Sequence, residues 1–266
     1  LYGLRSRNEI GASGGHISNL QLVREVAKHD RVCLIAPNVS DVLARELQAM
    51  NVLLITSRFP LGGVRSRLQK RKWISQQIRR ILEDPAEDVE MIFSSNGTCD
   101  ITNIAVKKLR PRCKHVIVVR AFEDMNLEFL TTSWRHFFKG MLFEATSGRG
   151  IRQAYRCATR IVTNSKFMSE TVSRYFSIQS DKIDVLYPPI DSSISAFRPL
   201  GSRPRIGIVN PSEHKGESVF LAMARRHKNL SFRYFGPVDK AYPEENVEYM
   251  GWRAKTEEIY SEIDLL

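Results

Sequence analysis

Gly207-Ile-Val-Asn-Pro-Ser-Glu-His-Lys-Gly216 is the stretch of sequence that decides the fold. An apolar strand pattern ends at Val209, a polar turn follows, and an apolar helical pattern begins after Gly216. A helix N-terminus after such a turn attracts anions, because its first backbone N–H groups lack partners within the helix and its dipole is positive there. Lys215 adds a full positive charge. The same pattern also fits a capped surface helix, since the glycine spacing of a Walker A loop is absent.

A second glycine-containing loop, Gly11-Ala-Ser-Gly-Gly-His16, precedes a helical pattern near the start of the chain. Glycine permits positive φ angles and close approach of a ligand to the backbone. Gly14 and Gly15 are therefore candidate anion-binding positions. Two loop-to-helix junctions in separate halves of one chain together predict a ligand that carries phosphate groups.

Strand-like and helix-like patterns alternate along the chain, which predicts parallel sheets covered by helices on both faces. In the first part, strand-like runs occur at residues 32–36, 52–56, 91–94, 115–119, 160–163 and 183–187, and helical patterns at 15–28, 42–49, 68–82, 101–109 and 166–175. The second part has strands at 205–209, 231–235, 247–250 and 263–266, and helices at 215–227 and 255–259. Between the two parts lies a stretch rich in proline, serine and glycine. We predict an N-terminal domain at residues 1–190, a linker at 191–204 and a C-terminal domain at 205–266.

Five segments, in this order and spacing, resemble those of the retaining glycosyltransferases of family 4: Gly14-Gly15, Ile161-Val-Thr-Asn-Ser-Lys-Phe-Met-Ser169, Lys182-Ile-Asp-Val-Leu-Tyr-Pro-Pro-Ile-Asp191, Asn210–Gly216 and Val247-Glu-Tyr-Met-Gly-Trp252. The resemblance spans essentially the whole chain. It implies an α/β GT-B fold with two Rossmann-like domains facing a cleft. It also implies an incomplete second domain, because the family's paired-glutamate motif would come after Leu266.

The resemblance implies transfer of a sugar, with retention, from a nucleoside-diphosphate sugar to the hydroxyl of an unidentified glycan, lipid or small molecule. It assigns catalytic roles to Lys215 and Arg120, and donor-binding roles to Gly14, Gly15, Asn210, Ser212, Gly216, Gly236, Trp252 and Arg253. We expect no metal and no other cofactor, because lysine and helix dipoles neutralise the leaving diphosphate. The sequence contains no Asp-x-Asp pair.

Two residues depart from the family pattern. Arg120 stands where members commonly carry histidine, so it either clamps the donor diphosphate or an acidic acceptor, or is only an exposed arginine at a strand end. Asn210 stands where many members carry arginine, which leaves more of the neutralisation to Lys215. Arg120 and the missing glutamates favour an alternative function, a non-catalytic anion- or membrane-surface-binding protein on a degenerate GT-B scaffold. The two phosphate loops oppose that alternative.

The net charge of +11, from 40 basic and 29 acidic residues, concentrates in one predicted helix, Arg65 to Ile81. A basic amphipathic helix with a tryptophan predicts docking on an anionic membrane surface, through Lys70, Arg71, Lys72 and Trp73. The same pattern fits a solvated helix packed on its own sheet. We expect no nucleic-acid partner, because the basic residues alternate with aliphatic side chains rather than with an aromatic stacking face.

The four cysteines, Cys33, Cys99, Cys113 and Cys157, are scattered and form no C-x-x-C motif. We interpret them as buried free thiols, which is consistent with a reducing compartment. No apolar run approaches the roughly 18 residues of a membrane span. We therefore predict a cytoplasmic protein that is peripheral on the inner face of a membrane.

Overall fold

The computed structural model describes residues 14–60, 64–95, 97–120, 148–188, 204–253 and 256–266. These residues form two compact α/β units, one within residues 14–188 and one within 204–266. Every strand pairing in both units is parallel, as the alternation of strands and helices predicts. Among the described residues, no helix is both long enough and apolar enough to span a bilayer.

The first unit alternates helices and short strands. In chain order these are α1 (Gly14–Ala27), β1 (Cys33–Ile35), α2 (Asp41–Ala49), β2 (Leu53–Ile55), α3 (Val64–Glu83), β3 (Met91–Ser94), α4 (Cys99–Leu109), β4 (Lys114–Val119), α5 (Arg149–Cys157), β5 (Arg160–Thr163), α6 (Lys166–Phe176) and β6 (Ile183–Val185). Strands β1 and β2 pair with each other, and β3 to β6 form a four-stranded sheet in sequential order. The sequence predicts all of these elements except α5.

The core of the first unit lies on both faces of β4. Its residues His115 to Val119 are buried, as expected for a central parallel strand covered on two sides. Tyr155 of α5 stacks on Phe176 of α6 with ring centroids 3.8 Å apart, in the cluster that includes Ile117 and Val119 of β4. In a second cluster, α3 packs against α4 through Ile74 and Ile78.

The second unit repeats the pattern with β7 (Arg205–Val209), α7 (Glu217–Arg226), β8 (Ser231–Phe235), β9 (Val247–Tyr249) and α8 (Thr256–Glu262). The sheet order is β7-β8-β9. Leu265 forms a single parallel bridge to Ile206 on the free side of β7, where the sequence predicts a full strand. The strand order therefore reverses at β7, and such a reversal is where open α/β sheets bind ligands, at the carboxyl ends of the strands.

Close packing at β7 depends on Gly207. A Cβ at this position would lie 2.7 Å from two carbon atoms of Ile263, so no side chain fits between β7 and the segment after α8. Arg205 and Asp264 close the same contact with a bidentate ion pair, Nη2 to Oδ1 at 3.0 Å and Nε to Oδ2 at 3.0 Å. The returning segment is therefore fixed beside β7.

The cysteines differ from the sequence prediction in their exposure. None of the four forms a disulfide, but only Cys99 and Cys113 are buried, while Cys33 and Cys157 are exposed. Cys33 begins the short edge strand β1, and Cys157 ends α5, so both lie at the margins of their elements.

Candidate functional site

The β7–α7 loop turns the chain sharply at the carboxyl end of β7. Asn210 has a φ of 51° and Gly216 a φ of 77°, both in the left-handed region, where asparagine and glycine are the residues best tolerated. Between them, Glu213–Lys215 form one 3₁₀ turn. The Glu217 amide donates to the Ser212 carbonyl at 3.1 Å, which closes the loop directly onto the first residue of α7.

The N-terminus of α7 presents positive charge to solvent. Lys215 is exposed, and its ammonium makes no hydrogen bond or ion pair with any described residue. The amides of Ser218 and Val219, in the first turn of α7, have no acceptor within the helix. An anion placed here would meet backbone N–H groups, the positive end of the helix dipole and a free ammonium group.

The strand register brings the other predicted donor-binding residues of the second unit to the same edge. Val209 pairs with Phe235, and Tyr234 with Tyr249, so the loops after β7, β8 and β9 emerge side by side. The residues concerned are Asn210, Ser212, Lys215, Gly216, Gly236, Trp252 and Arg253.

Two contacts measure how close these loops are. A Cβ on Gly236 would lie 3.5 Å from Asn210 Oδ1, and the Gly236 amide donates to the Gly251 carbonyl at 3.2 Å. Trp252 follows, with its indole Nε1–H buried and without an acceptor in the described part of the chain. Arg253 Nη1 donates to the Trp252 carbonyl at 3.4 Å. The edge therefore carries an arginine and an unused indole donor beside the anion-binding loop.

Lys240, in the β8–β9 connection, is a residue of this edge that sequence reasoning missed. Its Nζ donates to the Pro211 carbonyl at 2.7 Å and to both carboxylate oxygens of Glu217, at 2.7 and 2.8 Å. The Tyr242 hydroxyl also donates to Glu217. The hydrogen bond from Lys240, with that from Tyr242, holds the pKa of Glu217 below its usual value. No motif marks Lys240 in the sequence.

In the first unit, Gly14 and Gly15 begin α1, while the residues of the glycine loop before them lie outside the described residues. One turn further along α1, the Ser18 hydroxyl and the Asn19 side-chain carbonyl are buried and have no partner among the described residues. Buried polar atoms are normally hydrogen-bonded, so these two are exceptions among the described residues of α1.

Arg120 lies at the carboxyl edge of the four-stranded sheet, directly after β4. Its Nη1 donates to the Leu186 carbonyl, after β6, at 3.4 Å. Its own carbonyl accepts from the Asn164 side-chain amide, after β5, at 2.7 Å. Ser165 then caps α6 by accepting from the Met168 amide at 3.2 Å. Asn164 and Ser165, in the segment 161–169 that resembles the family, thus have structural roles. The Asn164 side chain joins two strand ends, and the Ser165 side chain caps a helix.

Arg71 and Trp73 of the predicted membrane surface contact residues of their own unit. Arg71 forms an ion pair with the buried carboxylate of Asp100 and donates to the Gly97 carbonyl at 3.0 Å. Trp73 packs edge-to-face on Phe59, with ring centroids 5.6 Å apart. Both side chains are turned toward their own unit.

The remaining basic side chains of α3 stay accessible. Lys72, Arg79 and Arg80 are exposed, Lys70 is half-buried, and Leu68 leaves 62% of its surface exposed. Across the described residues, no group of three or more histidine, cysteine, aspartate and glutamate side chains is arranged to hold a metal ion.

Comparison with known families and structures finds similarity to one family and to solved structures of one fold. Residues 12–194 match the family model described as Glycosyltransferase Family 4. No curated protein matches the sequence of this chain.

Three solved structures illustrate the structural likeness. Anabaena Alr3699/HepE in complex with UDP and glucose has a TM-score of 0.61 at 14% identity, covering 96% of this chain and 71% of that one. Arabidopsis thaliana UGT89C1 complexed with quercetin has a TM-score of 0.56 at 13% identity, covering 96% and 71%. UDP-GlcNAc 2-epimerase from Neisseria meningitidis bound to UDP-GlcNAc has a TM-score of 0.52 at 14% identity, covering 97% and 73%. At these identities the likeness shows the fold, which is that of the GT-B glycosyltransferases.

Proposed function

Since this chain belongs to glycosyltransferase family 4, we propose that it moves a sugar from a nucleoside-diphosphate sugar to an acceptor hydroxyl with retention of configuration. The observation that carries the proposal is the β7–α7 junction, where the exposed Lys215 lies next to the N-terminus of α7. In similar folds, solved structures of HepE hold UDP or UDP-glucose.

The chemistry of the junction suits a leaving diphosphate. When the acceptor hydroxyl attacks the anomeric carbon, the bond to the diphosphate breaks and negative charge grows on the leaving oxygen. The α7 dipole stabilises that charge without reorganisation, because the helix is fixed before the reaction starts, and Lys215 adds a full positive charge beside it. Asn210 is uncharged, so Lys215 supplies the full positive charge at this loop. We propose that no metal is needed for this step.

The neighbouring edge residues suit the rest of the donor. Gly236 adds no side chain to the loop after β8, while the half-buried Trp252 and Arg253 offer an indole ring and a guanidinium to a nucleoside. Ser212 and Gly216 shape the turn itself. In the first unit, we retain Gly14 and Gly15 as donor-binding positions and Arg120 as a catalytic or acceptor-binding arginine.

A panel of UDP-, GDP-, ADP- and dTDP-sugars, tested by thermal shift, decides whether the protein binds such a donor. A ligand at 100 times its dissociation constant stabilises the folded state by about 2.7 kcal/mol, which gives a measurable rise in melting temperature. The donor that binds is then incubated with candidate acceptors. NMR of the anomeric proton distinguishes a retained product from an inverted one, and from the epimerised or hydrolysed sugar that other chemistry on this fold would give.

Failure of every nucleotide sugar to raise the melting temperature would contradict the proposed transfer. The alternative, a non-catalytic anion- or membrane-surface-binding protein, would then be favoured by the exposed basic side chains of α3.

We further propose that α3 docks the protein on an anionic membrane surface in the cytoplasm. Lys72, Arg79 and Arg80 supply accessible positive charge, and Leu68 supplies exposed apolar surface on the same helix. Such a helix binds by electrostatic attraction together with burial of its apolar side chains. The acceptor would then be a lipid-linked or surface-bound molecule.

A further inference from the structure

Glu217 sits where an incoming anion should be repelled. It is the first residue of α7, one position after Gly216 and two after Lys215. A carboxylate here is favourable to the helix itself, because it faces the positive end of the dipole. It is unfavourable to a phosphate that would use the same helix end, since two negative charges would then share one turn.

The structure resolves this conflict with Lys240. The Lys240 ammonium contacts both oxygens of the Glu217 carboxylate, at 2.7 and 2.8 Å, and a third contact goes to the Pro211 carbonyl at 2.7 Å. These three acceptors match the three N–H donors of an ammonium group. The Glu217 side chain is 19% exposed and that of Lys240 is 36% exposed, so the pair forms at the rim of the edge, where solvent weakens it only in part.

Lys240 is itself held in place by the sheet. Its backbone amide donates to the hydroxyl of Tyr234 at 3.3 Å, and Tyr234 is a buried residue of β8. The same hydroxyl donates to the Asp239 carboxylate, which in turn accepts from the Ala241 amide at 2.9 Å. The β8–β9 connection is therefore fixed on β8 at the position from which Lys240 reaches the β7–α7 loop.

We propose that Lys240 is a positioning residue for diphosphate binding, which neutralises Glu217 and fixes the β7–α7 loop through Pro211. The inference rests on the proposed function, since it assigns the diphosphate to this loop. Lys240 does not contact the diphosphate, because its three donors are already used. The loop thereby keeps a stabilising carboxylate at its helix end and still accepts an anion.

A charge-swap cycle on the whole protein tests this role, with UDP and inorganic pyrophosphate as calorimetric probes. Lys240→Gln should weaken binding of both probes about fivefold, the scale of one charge at a helix terminus. Glu217→Gln should tighten it, because Lys240 then remains as an uncompensated cation. The double variant should bind within about twofold of the wild type, as expected when one mutation removes the cause of the other's effect. Lys240→Arg should retain part of the affinity because it keeps the charge, and Lys228→Gln, at an exposed lysine after the opposite end of α7, is the matched control for charge.

The outcomes separate the inference from the proposed function. A double variant that binds as weakly as Lys240→Gln would overturn the inference and show that Lys240 contacts the phosphate directly. Equal affinity in all variants, or no binding of either probe by the wild type, would also overturn it. If the cycle behaves as expected but no nucleotide sugar is turned over, the inference stands and the proposed transfer fails. If a nucleotide sugar is turned over but all variants bind the two probes with equal affinity, the proposed transfer stands and the inference fails.

Discussion

The side-chain amide of Asn164 donates a hydrogen bond to the backbone carbonyl of Arg120 across 2.7 Å. The bond joins the carboxyl ends of the neighbouring strands β4 and β5. The Arg120 side chain also donates a hydrogen bond to the Leu186 carbonyl, which follows β6. The position of this arginine is therefore set by three adjacent strands. A catalytic or acceptor-binding role for Arg120 depends on that arrangement.

We expect Asn164→Ala to lower the free energy of unfolding by about 1–3 kcal/mol, because it leaves a partly buried carbonyl without its donor. Urea denaturation measures the change. Asn164→Asp has nearly the same shape but no N–H group, so it should be at least as destabilising. A stable Asn164→Asp variant would mean that packing, rather than the hydrogen bond, accounts for the effect of the alanine.

The ion pair between Arg71 and Asp100 gives a second stability prediction. Arg71→Met should lower the free energy of unfolding by about 3 kcal/mol, because it leaves the carboxylate of Asp100, whose side chain is only 8% exposed, without its ion-pair partner. Lys72→Met, on the exposed neighbour, should change it by no more than about 0.5 kcal/mol. The double variant Arg71→Met with Asp100→Asn should recover part of the loss. Equal effects of the two single variants would contradict the structural role of Arg71.

Much of the fold could be predicted because its signals are local. Apolar strand runs and helical periodicity placed β7, α7 and their connecting loop within a residue or two of their observed bounds. Helix α5 was missed because it is short, arginine-rich and begins without a side-chain cap at Gly148. Its buried side consists of only three residues, Ile151, Ala154 and Tyr155, although they follow helical spacing.

The parts of the candidate site that could not be predicted depend on contacts between distant residues. Lys240 reaches Glu217 across 23 residues of sequence, and its direction is set by the β8–β9 connection. Arg71 and Asp100 are 29 residues apart. Helical periodicity shows that Arg71 is on a polar side of α3, but a buried acid on another helix decides that it turns inward.

Buried His115 makes the stability of the first unit depend on pH. Burial lowers its pKa to about 4, and its ring Nε2 lies 2.7 Å from the Ser94 hydroxyl. A histidine with a lowered pKa stays neutral in the folded state while the unfolded chain takes up a proton below about pH 6.5. Stability is therefore lost as pH falls from about 6.5 towards 4. Between pH 7 and pH 5, protonation of this residue in the unfolded chain should lower the free energy of unfolding by about 2 kcal/mol.

Urea denaturation at the two pH values checks the prediction. His115→Gln cannot take up the proton, so the fall in stability between pH 7 and pH 5 should shrink by about that amount. His29→Gln, at an exposed position, should leave the fall unchanged. An identical pH dependence in the wild type and His115→Gln would contradict the assignment.

Docking of α3 on anionic lipid should be visible in vesicle sedimentation. Each accessible basic side chain near an anionic surface contributes about 1 kcal/mol, and salt screens the attraction. Replacing Lys70, Lys72 and Arg79 with glutamine should therefore remove most of the binding. The matched control replaces Lys108, Arg112 and Lys114, which are exposed elsewhere in the first unit. Binding that is equal on neutral and anionic vesicles, or that survives high salt, would exclude the electrostatic docking.

Lys215→Ala tests the central assignment. The Lys215 ammonium has no partner in the described residues, so its removal should leave the melting temperature of the ligand-free protein nearly unchanged. Its contact with a diphosphate would be charge-assisted, and such contacts are worth about 1.5–3 kcal/mol, which corresponds to a loss of about 10- to 150-fold in affinity or turnover. Calorimetry with UDP and turnover of the donor found in the nucleotide-sugar panel measure the two quantities.

Lys228→Ala controls for the loss of a charge at the other end of α7, and Lys215→Arg should retain part of the affinity because it keeps the charge. Wild-type turnover in Lys215→Ala would remove this lysine from the site and, with it, the observation on which the proposed transfer chiefly rests.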